Sequence, residues 1–441
     1  MKGGHPQRCP DLVELAGLLG LGLSPRAEDL LVESEHSVEE ILAWVESCPQ
    51  CHQGLATLES WQEEVGYPDL AVVADERNRA LQMWEELKAV PTEELADRIG
   101  EEHCFWAMAF LLPKKSVEAA RNSSDRCLEL AQIAVAVSSL LDPNYYTPRL
   151  LKDMDARVWA YLGNAQRVRG DLNLADRAFE RAQAYLQKGT GTLLSRAVFL
   201  DLLGSLRKDQ GQYEEAIEVL GHAAKLYEAT GQSSLVGKVQ LMLGMVEELR
   251  GNTEGAVSYL TEAQSLISPE KDQRLYSHCQ HFLLGCLTRA GYFEEAELRL
   301  PILRKMWEDA RDTKGLLMLR WLEANILHGL GKFNGARSVY EEVQAAFSKV
   351  GLEISVALIN LELAVLSMES DSGEDVLRLT TEAHQIFRDN GAEKEALAAL
   401  SILVKAAEAA QITASLTKSV TEFLRAEGKK PLVRFDPPQA D

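Results

Sequence analysis

The chain has 441 residues, of which 46% are hydrophobic and 26% are charged, and its formal net charge is −21. This acidity argues against general nucleic-acid binding, which needs a basic face, and against attachment to an anionic membrane surface. No apolar run approaches the ~18 residues of a membrane span, the N-terminus lacks the apolar region of a secretory signal, and the seven cysteines are sparse. We therefore expect a cytoplasmic protein with reduced thiols.

Residues 1–60 are predicted to form a small helical unit of three short helices. The third helix runs from Ser37 to Ser47, with Ser37 and Glu40 placed as a capping box. The segment 21–45 also has helix breaks spaced as in a helix-turn-helix motif. Its second helix, however, has Arg26 as its only cation, whereas a helix that faces phosphates is basic. DNA binding is therefore not expected.

The third helix ends at Cys48-Pro49-Gln50-Cys51, and Cys9-Pro10 lies near the start of the chain. This arrangement resembles the zinc-binding anti-sigma-factor domain of bacterial regulators. The resemblance implies zinc, the only cofactor considered, at Cys9, Cys48 and Cys51. Trp44 replaces the family's histidine, and because structural zinc needs four ligands, the fourth must come from His5, His36, His52 or water. An intact zinc site, a degenerate finger and a redox CxxC all stay open.

Residues 61–98 are predicted to form linking helices, with breaks at Pro68 and Pro91. The clearest motif follows at 155–186, where two amphipathic helices are joined by a break at Gly170-Asp171. The diagnostic residues are Trp159, Leu162 and Gly163 on the first helix and Ala175, Phe179 and Ala182 on the second. Their spacing resembles the tetratricopeptide repeat, a helix-turn-helix unit that buries its apolar face only when it is stacked in an array.

The motif recurs along the chain. Ala175 is followed by Ala216, Ala256, Ala296, Ala336 and Val376, with spacings of 41, 40, 40, 40 and 40 residues. The glycine between the helices recurs at Gly170, Gly211, Gly251, Gly291 and Gly331. The Leu-Gly pair recurs at Leu203-Gly204 and Leu243-Gly244, and it is offset by one residue at Leu284-Gly285. The sequence therefore predicts an all-α fold, a right-handed α-solenoid of tetratricopeptide-type repeats over residues 99–427.

The ends of the array are less regular. We expect a divergent first repeat, with helices from Glu101 to Leu112 and from Val117 to Leu141 and with Ala134 in phase with Ala175. Six clear repeats span 147–390, and a closing pair covers 392–410 and 413–427. The proline-containing tail 428–441 is expected to be disordered.

No nucleotide-binding, hydrolase, metalloprotease or kinase motif is present, which indicates a non-enzymatic protein. His278-x2-His281, with Cys279 and Cys286, is the one metal-like cluster inside the array. We interpret the two histidines as polar residues of the groove.

The family resemblance implies that positions 2, 5, 9 and 12 of each first helix face a partner in the concave groove. The candidate groove residues are Arg157, Asn164, Arg167, Asp201, Ser205, Lys208, Lys238, His278, His281, Trp321, Asn325 and His328. Cations outnumber acids among them, which favours an acidic partner segment. The carboxylate clamp of chaperone adaptors is not expected, because Ala160 replaces its lysine.

These features predict a protein-protein interaction scaffold that binds a peptide or a helical segment in the groove, in a bacterial cytoplasmic regulator or adaptor. The alternative is a ligand- or peptide-sensing regulator whose superhelix closes on a small molecule.

Overall fold

The computed structural model describes residues 70–270, 272–368, 373–390 and 413–427, together with residues 48–49, 396–397, 400–401 and 403–404. The predictions for the tail 428–441, for the N-terminal unit apart from residues 48–49, and for most of helix 392–410 lie outside these residues. Every regular element within the described part is helical. Among the described residues, none of the helices combines the length and the apolar character that a membrane span requires.

The chain forms two compact units, residues 1–208 with 214–239 and residues 209–213 with 240–441. In the first unit the helices are α1 (Leu70–Leu87), α2 (Thr92–Leu95), α3 (Trp106–Ala119), α4 (Ser124–Ser139), α5 (Pro148–Arg169), α6 (Leu172–Leu186), α7 (Leu193–Asp209), α8 (Tyr213–Ala229) and the first part of α9 (Ser233–Arg250). Two short 3-10 turns, Ala96–Arg98 and Glu101–His103, connect α2 to α3.

The second unit begins within α9. It continues with α10 (Thr253–Leu266), α11 (Gln273–Arg289), α12 (Phe293–Asp309), α13 (Thr313–Gly329), α14 (Phe333–Lys349), α15 (Glu353–Met368), α16 (Gly373–Asp389) and α17 (Ala414–Glu427). From α5 to α16 the helices form six successive pairs. These pairs confirm the all-α repeat fold and the six repeats predicted between residues 147 and 390.

The two helices of a pair approach most closely where the sequence places the Leu-Gly pair. A Cβ atom at Gly163 would lie 2.8 Å from the Phe179 ring, and one at Gly204 would lie 2.5 Å from Leu220 Cγ. The small residues opposite, such as Ala175 and Ala216, are fully buried. Because interiors are close-packed, a larger residue at these crossings would force the helices apart.

The turn between the helices of a pair depends on a left-handed glycine. Gly170 ends α5 with φ 93°, and its N–H donates to Arg167 O at 2.9 Å. Asp171 N donates to Gln166 O, also at 2.9 Å, so the last carbonyls of α5 are capped. Residues with a Cβ rarely adopt this φ, which is the physical reason that glycine recurs at this point.

The start of α3 is capped by side chains from distant parts of the chain. Trp106 N donates to Tyr146 Oη at 3.1 Å, and Ala107 N donates to Glu76 Oε2 at 3.2 Å. The Tyr146 hydroxyl in turn donates to Glu76 Oε1 at 2.6 Å. Burial raises the pKa of Glu76. These bonds satisfy N–H groups that the first turn of a helix leaves unpaired, and they attach α1 to the helical stack.

The predicted divergent repeat is corrected at both of its helices. We predicted helices from Glu101 to Leu112 and from Val117 to Leu141, but α3 passes through Pro113 to Ala119 and α4 begins only at Ser124. Burial of residues on both sides of Pro113 offsets the hydrogen bond that the proline cannot make. The Ser123 hydroxyl caps α4 by accepting from Arg126 N at 3.1 Å.

Ala134 is consequently out of phase with Ala175. Ala134 lies well inside α4, whereas Ala175 is the fourth residue of α6. The fourth residue of α4 is Cys127, which is fully buried, with its Sγ 3.3 Å from Ser116 Oγ. Cys127 therefore takes the place that we assigned to Ala134.

The close helix crossing within each pair predicts that two substitutions in α10 differ sharply in their effect on stability. Ala256→Trp should destabilise the fold by about 1–3 kcal/mol or more, because the fully buried Ala256 has no room for an indole. Glu254→Ala, at an exposed site in the first turn of α10, should cost only about 0.3–1 kcal/mol through the helix dipole. Thermal melts followed by circular dichroism would check both. Equal melting temperatures for the two variants would show that the repeat register is wrong.

Candidate functional site

In the first unit, the first helices of three successive pairs share one surface. Lys238 Nζ on α9 lies 2.8 Å from Asp201 Oδ2 on α7. The Tyr227 hydroxyl donates to the same oxygen at 3.4 Å. Burial opposes the charged form of Lys238, but the Asp201 carboxylate outweighs it, and the pKa of Lys238 is raised. Tyr161 and Arg167 on α5 lie near enough to influence this pKa as well, so α5, α7 and α9 converge.

We call this surface the first-unit wall. It comprises the predicted groove residues Arg157, Asn164, Arg167, Asp201, Ser205, Lys208 and Lys238. Lys208 lies about two helical turns beyond Asp201 on α7, on the same face. Four of these residues are cations and Asp201 is the single acid, so the wall is cationic within an acidic chain.

The cations of the first-unit wall are held in place by their neighbours. The Arg157 guanidinium lies over the rings of Phe110, at 4.0 Å, and Tyr161, at 5.0 Å. Arg167 Nε and Nη2 donate to Asn164 Oδ1 at 3.2 and 3.0 Å. Stacking and hydrogen bonding of this kind keep the positive charge and reduce the side-chain freedom that is lost on binding.

Three predicted residues of the first-unit wall are buried. Asp201 is 3% exposed, Asn164 is 5% exposed, and the Ser205 hydroxyl donates to Asp201 O at 3.2 Å. The Asn164 amide oxygen accepts a hydrogen bond from Arg167. Asn164 and Asp201 therefore position Arg167 and Lys238, and the cations are the more exposed part of the wall.

The second unit contains a cavity of about 780 Å³. We call it the second-unit cavity. Four predicted groove residues line it: His281 on α11 and Trp321, Asn325 and His328 on α13. Lys418, Thr421 and Glu422 on α17 form another side. The repeat register thus placed four predicted groove residues around this cavity. We predicted α17 only as part of the closing pair, because no local pattern in the sequence indicates that it lines a cavity.

Several amide and hydroxyl side chains of the second-unit cavity bond to the chain itself, whereas the buried His281 Nδ1 has no hydrogen-bond partner among the described residues. Asn325 Nδ2 donates to Trp321 O at 3.1 Å, and Asn325 Oδ1 accepts from the Tyr340 hydroxyl at 2.9 Å. Thr288 and Thr421 each donate their hydroxyl to a carbonyl one turn earlier in their own helix, at 2.8 Å. Their hydrogen-bonding capacity is therefore largely used within the fold.

The two predicted histidines of α11 pack on Trp307. The ring centroids of His278 and His281 lie 5.2 and 6.3 Å from that of Trp307. Burial, together with repulsion from His278, lowers the pKa of His281 to about 4. His281 is therefore neutral near pH 7. Trp307 was not among the predicted residues, because it lies on the second helix of its pair, α12.

The described residues do not test the predicted zinc site. Cys48 lies among the described positions, while Cys9 and Cys51 lie outside them. The zinc site stays a prediction.

The comparisons with known proteins agree with the helical pairs. A family model described as a tetratricopeptide repeat matches residues 198–230, which cover most of α7 and α8. No curated protein matches the sequence. The structure of a Rap protein complexed with Competence and Sporulation Factor aligns with a TM-score of 0.53 and 14% identity, over 72% of this chain and 87% of that chain. The structure of aspartyl phosphate phosphatase F from Bacillus subtilis aligns with a TM-score of 0.49 and 13% identity, over 88% of this chain and 98% of that chain.

At this level of identity the structural likeness shows the fold alone. The fold and the walls define the class of the molecule as an α-solenoid built from helix-turn-helix pairs. The family match identifies the pair α7–α8 as similar to a tetratricopeptide repeat at residues 198–230.

The ion pair of the first-unit wall predicts a pH-dependent contribution to stability. Lys238→Met should lower the free energy of unfolding by about 1–3 kcal/mol, because it removes the cation beside a buried carboxylate. The pKa of Lys238 is raised in the folded state, so the full contribution is present below the ordinary value of 10.5 and is lost as pH rises through the folded value. Urea denaturation at pH 8 and above pH 11 would measure it.

The matched control for this prediction is Lys225→Met, at an exposed lysine of α8, which should leave stability nearly unchanged. A gap between wild type and Lys238→Met that stays constant above pH 11 would exclude the pair as its source.

For His281 we predict the opposite dependence of folding stability on pH. Its pKa is lowered from 6.5 to about 4 on folding, so the unfolded chain takes up the proton first and stability falls as pH drops through this interval. His281→Gln cannot take up this proton, so its melting temperature should fall less than that of wild type between pH 6.5 and pH 4. Scanning calorimetry at several pH values would show the difference. Parallel profiles would refute a buried, neutral His281.

Proposed function

We propose that this chain is a non-enzymatic scaffold whose first-unit wall binds a partner segment rich in carboxylates, as an extended peptide or a helix. The observation that carries the proposal is that Arg167 on α5 and Lys238 on α9 converge beside the buried carboxylate of Asp201 on α7. Cations on a shared surface attract carboxylates. The negative charge elsewhere on the chain repels the same segment and thereby favours this surface over others.

The arrangement of the cations supports binding more than it supports simple solubility. Asp201 is buried and is already paired with Lys238. The stacked Arg157 and the hydrogen-bonded Arg167 are preorganised, so less side-chain entropy is lost when a partner binds. The Rap protein of similar fold was solved in complex with Competence and Sporulation Factor, and this is consistent with a ligand-holding role for such a helical stack.

The cellular role follows only by analogy. The resemblance of residues 1–60 to anti-sigma-factor domains supports a cytoplasmic regulator or adaptor of bacterial origin, with zinc at Cys9, Cys48 and Cys51 as part of the same proposal. Chemical motifs of known enzyme classes are missing from the full sequence, which favours a binding function over catalysis.

A charge-reversal experiment tests the first-unit wall. The probe is a fluorescein-labelled peptide of alternating Glu and Ala residues, with a Lys-Ala peptide as the negative probe. Arg167→Glu combined with Lys208→Glu should weaken binding of the acidic peptide by more than about tenfold, since it removes attraction and adds repulsion. Fluorescence anisotropy at low and high salt would measure the affinity, which should fall as salt screens the charges.

The matched control is Arg177→Glu combined with Lys225→Glu, which changes the net charge equally at exposed sites on the second helices α6 and α8. It should weaken binding by no more than about twofold through the long-range field. Equal losses in the two double variants would show that net charge, and not the wall, determines binding.

A further inference from the structure

Gly285 differs from the glycines at the helix crossings. At Gly163, Gly204 and Gly244 a Cβ atom would come within 2.8 Å of the opposing helix. In the fourth pair this crossing position is held by Leu284, which is fully buried. Gly285 lies one residue further on, and the nearest atom to its Cβ would be Arg289 Nη1 at 3.6 Å, an ordinary contact. Helix packing therefore does not require a glycine at 285.

A glycine in the middle of a helix has a cost in stability. It destabilises the helix by about 0.5–1 kcal/mol relative to alanine, because its backbone loses more freedom on folding. Gly285 lies well inside α11 and lines the second-unit cavity. The clearest consequence of having no side chain at this position is open space inside the cavity.

The chemistry of the cavity favours an apolar occupant. Its amide and hydroxyl groups bond within the chain, and His281 is neutral near pH 7. The buried His281 Nδ1 is left without a hydrogen-bond partner among the described residues, so it can bond one polar atom of an otherwise apolar ring such as an indole. The apolar part of the lining includes Phe282, Trp321 and Phe333. An aromatic group can pack on such rings edge-to-face, which contributes more than the burial of its area alone.

Charges of both signs border the cavity and largely balance. Glu362 and Glu422 are acidic, whereas Lys418 and Arg289 are basic. Arg289 forms an ion pair with Glu248. A strongly charged ligand would gain little net attraction here, in contrast to the first-unit wall. The volume of about 780 Å³ falls within the range of about 300–1,000 Å³ typical of ligand pockets.

We propose that the second-unit cavity binds an aromatic side chain presented by a partner segment, and that Gly285 is the residue that keeps room for it. The inference concerns a different surface from the first-unit wall and holds whether or not that wall binds acidic peptides. It makes the partner's recognition element an exposed Trp, Tyr or Phe, anchored beside Trp321.

The test uses the full chain with indole as the probe and arginine amide as the polar control. Saturation-transfer NMR and a titration should show that indole binds wild type and that arginine amide does not. Gly285→Leu should weaken indole binding by about tenfold or more, because the leucine side chain occupies the space. Its melting temperature should be equal to or above that of wild type, since leucine is the better helix former. Gly221→Leu, in open space on α8, should leave indole binding unchanged.

A second variant keeps the test decisive if the leucine lowers the melting temperature. Phe333 is 42% exposed at the start of α14, so Phe333→Ala should fold and still bind indole several-fold more weakly. Tyr292→Ala, at an exposed aromatic outside the cavity, is its control. The proposal would be overturned by the absence of indole binding to wild type, by equal binding of arginine amide, or by indole affinities of Gly285→Leu and Phe333→Ala that match wild type.

Discussion

The close approach of two helices within each pair is the constraint on which the rest of the structure depends. Where glycine faces Phe179 or Leu220, an added Cβ would overlap the opposing side chain, so the distance and register of the pair are fixed together. A left-handed glycine at the turn then returns the chain for the next helix. One pair cannot bury its apolar face alone, and the stack of pairs follows from this requirement.

The same register determines which side chains reach the walls. Residues one or two turns apart on a first helix share a face, so Asp201 and Lys208, or Trp321 and Asn325, are brought to one surface by the crossing that fixes their helix. The two units use this geometry for different chemistry. The first-unit wall holds cations around one buried acid, whereas the second-unit cavity is aromatic and internally hydrogen-bonded. A repeat therefore supplies positions, and the residues at these positions supply the recognition.

The repeat fold could be predicted from the sequence because its signals are local and periodic. The spacing of Ala175 and its successors located six pairs, and the register placed His281, Trp321 and His328 around one cavity. The rest depends on contacts between distant residues. The hydrogen bond between Tyr146 and Glu76 joins residues 70 positions apart, and no local sequence pattern predicts it. The sequence predicted a helix end at Leu112, but α3 continues through Pro113, where burial of the surrounding residues offsets the missing hydrogen bond. The contribution of α17 to the cavity is likewise a tertiary effect.

We propose that partners bind through the first helices of the pairs. Hydrogen–deuterium exchange on the full chain, with and without the acidic peptide, can locate the binding surface because exchange reports protection helix by helix. Binding at the first-unit wall should add protection in α5, α7 and α9, where the wall residues lie, and should leave α6, α8 and α10 unchanged. Protection that appears mainly in α6, α8 and α10 would contradict it, since these second helices carry none of the wall residues.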